Sequence, residues 1–116
     1  HAAAVRLPAL LYEAWPEFAG ISFSLQFLPQ WFYPYYFLLA MAGLYHALAG
    51  SRIALPRLGV RLRPLNAKQA QLSAALGGVI FVFSLLAFGG VLFEVADPFQ
   101  SAYAKVYLDF LASFSP

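Results

Sequence analysis

No cysteine occurs among the 116 residues, which removes disulfides, thiolate metal sites, iron–sulfur clusters and c-type haem attachment from consideration. Charge is nearly as scarce. Only 10% of residues are charged while 62% are hydrophobic and 18% aromatic, against roughly 25% charged in an ordinary soluble domain. No Asp, Glu, Lys or Arg falls between Phe18 and Ser51, and none between Gln69 and Phe93. Each of these runs exceeds the roughly 20 residues an α-helix needs to cross about 30 Å of hydrocarbon. They are also too long and too uniformly apolar for barrel strands, which run about 9–11 residues and alternate apolar with polar. Missing too are a nucleophile triad, a carboxylate pair set for acid and base work, and a glycine-rich phosphate loop. Gly77-Gly78 and Gly89-Gly90 stand isolated in an apolar run. A net charge of +2, accounted for by a single loop, leaves no basic face for nucleic acid.

The expected fold is therefore all-α, an integral membrane helical bundle. The first residue is His1, with no basic, apolar and small-residue segments following in the order a signal peptide requires. The chain reads as the C-terminal part of a longer polytopic protein: two full transmembrane helices and the end of a preceding one. Residues 1–15 would end that truncated helix, with Arg6 and Glu13 at its exit and Trp15 as an interfacial anchor. Residues 16–30, with Pro16, Gly20 and Pro29 among serines, suit a connection along the outer face.

A helix over 31–55 follows, its entrance crowded by Trp31, Phe32, Tyr33, Tyr35 and Tyr36, with Pro34 in its first turn. Pro56 and Gly59 break it. Arg52, Arg57, Arg61, Arg63 and Lys68 then make residues 52–68, which overlap the 56–69 loop, strongly basic with no acid. The positive-inside rule puts that loop in the cytoplasm and Glu13, Glu17, Glu94, Asp97 and the C-terminus outside. The second span is expected over 70–95, its paired glycines suiting contact with another helix. The tail, 96–116, should form an amphipathic interfacial helix, with Asp97 as cap, Pro98 at the first helical position and an apolar stripe from Phe99 to Phe114.

The first full span carries a histidine, His46, in its apolar stretch. The residues three and four positions from His46 are Ala42, Gly43, Ala49 and Gly50, all small. This leaves a shallow trough around an imidazole, suited to a flat group such as haem whose iron takes histidine as axial ligand. The same small residues suit a helix-packing seam in which His46 hydrogen-bonds to a neighbour. At about 1.5 Å per residue, His46 lies roughly 22 Å from the outer end of its helix, in the cytoplasmic half. Arg52 is placed either to neutralise a haem propionate or as one more inside charge. Glu94, at the outer boundary, reads as a solvated carboxylate or a proton-handling group.

These features resemble the diheme cytochrome b subunit of succinate dehydrogenases and fumarate reductases, the single-chain, five-helix membrane anchor. The resemblance rests on "YHALAG", a basic loop containing "LGVRL", a glutamine, Gln69 or Gln71, and a glycine-containing last helix. "HAAAVR" resembles the segment that starts at the preceding helix's haem-ligand histidine, at matching spacing. The resemblance implies that His46 is an axial ligand of the haem nearer the cytoplasm and His1 of the outer haem, the second ligand of each coming from absent helices. It implies two haems b in the complete protein and quinone as substrate. It also implies cytoplasmic iron–sulfur and flavoprotein subunits as partners, in a bacterial inner membrane. The aromatic 16–30 connection and the long tail depart from that pattern. The chain itself contains no succinate site. A different class of function also fits the residues, a haem-free transporter or assembly subunit whose His46 lines a proton or substrate path.

Overall fold

The computed structural model describes residues 2–15, 18–60, 63 and 65–114, with backbone alone at 2–5 and 7. Five α-helices and one short 3₁₀ turn make up the described chain, and no strand occurs among the described residues: α1 Ala2–Tyr12, α2 Phe18–Phe27, α3 Pro29–Arg57, α4 Ala67–Phe88, the turn Pro98–Gln100, and α5 Ala102–Ala112. The chain divides into two compact units, residues 33–85 and residues 1–32 with 86–116.

The first unit holds most of α3 and α4. Leu44 lies against Gly77, and Phe37 and Met41 against Gly78, so positions fall along α3 as they rise along α4 and the two helices run antiparallel. Both helix ends at the turn between them are built from specific caps. Gly59, at φ 82°, closes α3: its N–H donates to the Pro56 carbonyl and the Val60 N–H to that of Leu55. That is the paired bonding of a Schellman end, for which only glycine is free of strain. At the start of α4, the Gln69 N–H donates to Asn66 Oδ1 at 2.8 Å and the Asn66 N–H to Gln69 Oε1 at 3.0 Å. This reciprocal capping box satisfies two otherwise orphaned donors.

The second unit gathers α1, α2, the 3₁₀ turn and α5. Phe23 of α2, Tyr103 and Ala104 of α5 form its buried core, with Phe99 and Tyr107 packed on it. The Phe23 ring meets Phe99 edge-on at 5.3 Å and stacks with Phe27 at the same distance. Asp97 caps the 3₁₀ turn by accepting from the Phe99 N–H at 3.0 Å, and Ser101 caps α5 by accepting from Ala104. The expected cap and first-position proline at Asp97-Pro98 are both present, on a 3₁₀ turn.

Several boundaries differ from the sequence expectation. Residues 16–30, read as a connection, contain the helix α2. Ser24 does not break it because its hydroxyl donates back to the Gly20 carbonyl at 2.8 Å, keeping that polar group satisfied within the helix, whereas the buried Ser22 hydroxyl has no partner among the described residues. Proline at 29 begins α3, where its missing N–H costs nothing; Leu28 precedes it as a single bend, its carbonyl accepting from Phe32. Pro34 consequently lies inside the helix, not in its first turn, and leaves the Gln30 carbonyl without its usual donor. The span read as 70–95 is α4 from Ala67 to Phe88. Gly90, at φ 77°, ends it with a second Schellman pair, Gly90 to Ala87 and Val91 to Leu86. Part of the α5 stripe that was expected to face an interface is instead covered by α2 through Tyr103 and Tyr107.

Candidate functional site

Helix α3 has two contrasting sides. Counting about 100° per residue, Phe37, Met41 and Leu44 fall within roughly 60° of one another on the side facing α4, and His46 lies about 180° from Phe37. The imidazole is exposed and has no hydrogen-bond, ion-pair or ring partner among the described residues. Nothing stands within 4 Å of where a Cβ would be at Gly43 or Gly50. Ala42 is exposed and Ala49 half-buried. The glycines that receive another helix of this chain are Gly77 and Gly78; those flanking His46 face open space.

A flat group coordinated by the imidazole could lie on this surface. The ring nitrogens are free to coordinate, and the absence of side-chain bulk at 43 and 50 leaves room on one flank. Among the described residues of that face, His46 is the one side chain that could coordinate a metal. His1 lies outside the described residues, so its proposed role as ligand to a second haem is not addressed by the geometry.

Arg52 does not share the His46 face. Six residues along, it points roughly a third of a turn away, whereas Arg57 returns to within about 20° of the His46 direction, some 16 Å further along the axis. The run His46, Gly50, Ile53, Arg57 therefore lines one side of α3. Arg57 was legible from the same helical period but was grouped with the loop charges. Arg52 and Arg57 are exposed, as are Arg63 and Lys68; Arg61 lies outside the described residues. Of the two glutamines considered, Gln69 is engaged in the α4 cap, and Gln71 is exposed.

The apolar character of α3 and α4 is not spent on an interior. Neither helix has a buried residue, and large side chains including Leu38, Tyr45, Leu72, Val79, Ile80 and Phe83 face outward. A core helix of a soluble protein, equally apolar, would be mostly covered by its own chain. By class, the chain is a helical protein with two helices long and apolar enough to cross a membrane. No protein-family model, curated protein or solved structure matches it.

Proposed function

We propose that the chain is the membrane-embedded part of a haem b-carrying electron-transfer anchor of the succinate dehydrogenase or fumarate reductase type, with His46 as an axial ligand. The observation that carries this reading is the placement of His46. It stands exposed and unpartnered on the side of α3 that turns away from α4, beside Gly43 and Gly50 with open space above both. A histidine kept only to secure the α3–α4 pair would face Gly77 and Gly78. An intramembrane ionisable group without a partner in its own chain calls for one outside it.

In this reading His46 would hold the haem iron, Gly43 and Gly50 would keep the flank clear for the ring, and a further ligand would come from outside the described residues. Bound haem supplies a reversible one-electron carrier whose potential depends on axial ligation, burial and nearby hydrogen bonds. The chain contributes orientation and an apolar surround; electrons would pass between cytoplasmic iron–sulfur and flavin subunits and membrane quinone. The membrane is the bacterial inner membrane, with the basic turn on the cytoplasmic side and the C-terminus outside.

The test is the reduced-minus-oxidised optical spectrum of membranes carrying the full reading frame, beside the same protein with His46→Ala. Sharp b-type bands partly lost in the variant are expected. Their absence from well-expressed, haem-supplied protein would sink the reading and leave the Gly43–His46–Gly50 face to a helix seam or a transport path.

A further inference from the structure

The turn between α3 and α4 gathers positive charge with nothing to balance it. Arg52 and Arg57 on the last turns of α3, Arg63 in the turn and Lys68 at the start of α4 are all exposed, and none forms an ion pair with a described residue. No acid lies anywhere between Phe18 and Phe93, so the 33–85 unit contains no carboxylate that could pair with them. Arginines near the C-terminus of α3 complement its dipole. Lys68 does the opposite: it places a cation in the first turn of α4, where the helix already presents positive charge. Helix stability does not account for it.

The end of α3 that carries Arg52 and Arg57 is closed by the Gly59 Schellman bonds, and the start of α4 that carries Lys68 by the Asn66–Gln69 capping box. Arg52, Arg57 and Lys68 are thus carried on the ends of the two helices long and apolar enough to cross a bilayer. At that level of a membrane the abundant anions are phospholipid headgroups, and each nearby Lys or Arg favours association with an anionic leaflet by about fivefold.

We infer that this turn is a binding surface for anionic phospholipid headgroups, with Arg52, Arg57, Arg63 and Lys68 as the contacting groups. The inference rests on the membrane reading but needs no haem. An acidic protein surface would satisfy the same charges. Lipid is favoured because the cations sit at the ends of both apolar helices, where headgroups are present whatever else binds.

The chain reconstituted in phosphatidylcholine vesicles, with trace spin-labelled phosphatidylglycerol or spin-labelled phosphatidylcholine, reports the preference directly as the ratio of the two immobilised fractions. A several-fold preference for phosphatidylglycerol is expected, shrinking as salt is raised and falling toward one when Arg52, Arg57, Arg63 and Lys68 are all changed to Gln. Circular dichroism checks that the variant keeps its helices. A ratio near one in the unaltered chain, or an undiminished ratio in a helical variant, overturns the inference. A chain that never enters the vesicles defeats the membrane reading instead, so the two failures are distinguishable.

Discussion

An added methyl at Gly77 would run into Leu44 Cδ2, while one at Gly43 or Gly50 would meet nothing within 4 Å. The same residue type therefore serves two purposes on the two helices. Gly77 admits a leucine side chain; Gly43 and Gly50 keep a surface low. Overpacking typically costs about 1–3 kcal/mol, so Gly77→Val should destabilise the α3–α4 pair by that order. Gly43→Ala and Gly50→Ala should leave it unchanged or stabilise it by up to about 1 kcal/mol through helix propensity. Denaturant unfolding of the detergent-solubilised chain, followed by circular dichroism, separates these outcomes. If Gly43→Ala cost as much as Gly77→Val, the His46 face would have a partner within the chain and its openness would be refuted. The cluster of small residues around His46 was legible from helical spacing alone. Its orientation away from α4 was not, because spacing defines a face without saying which face meets a neighbour.

At the level of whole elements, the existence of α3 and α4 was legible because long stretches without charge admit few alternatives. Their ends were less so. The sequence carried α4 on to Val95 since Leu92 and Phe93 continue the apolar run, but the Gly89-Gly90 pair offers a left-handed residue that terminates the helix at Phe88. Helix α2 was missed for the converse reason: glycine, proline and serine look like loop chemistry until the Ser24 hydroxyl turns back onto the helix and the proline takes the first position of the next one. The two helix-ending glycines give an unequal pair of substitutions. At Gly59 an alanine would meet only the left-handed strain of φ 82°, with nothing within 4 Å, a cost of about 1–2 kcal/mol. At Gly90 the same strain is joined by Gln26 Nε2 at 3.3 Å. Gly90→Ala should therefore destabilise the chain more than Gly59→Ala, and Gln26→Ala should remove the excess. Thermal unfolding of the two single variants and the Gly90→Ala, Gln26→Ala double variant tests this. Equal losses, untouched by the second substitution, would show that the Gln26 contact carries no energy.

On the scale of the molecule, the decisive fact is where apolar surface goes. The 1–32 and 86–116 unit buries a small aromatic core around Phe23, whereas α3 and α4 have no fully buried residue and leave many of their leucines, valines and phenylalanines outward. Water disfavours that arrangement by roughly 25 cal/mol per Å² of apolar surface; lipid or further helices do not. One substitution separates these surroundings. Ile80 lies near the middle of α4 and is 61% exposed, so Ile80→Lys creates no clash and breaks no side-chain bond within the chain. In water such a change would be neutral or would improve solubility. At the centre of a membrane-spanning helix, a lysine opposes insertion by about 2.5–3.5 kcal/mol, enough to shift an insertion equilibrium by roughly 100-fold or more. Glycosylation mapping of α4 in microsomal membranes is expected to show spanning in the unaltered chain and a sharp fall with Ile80→Lys, while Lys68→Gln at the helix end leaves spanning intact. An Ile80→Lys chain that folds, dissolves and resists aggregation without detergent would mean that α3 and α4 meet water, and the membrane assignment and the reading of His46 that depends on it would fall together.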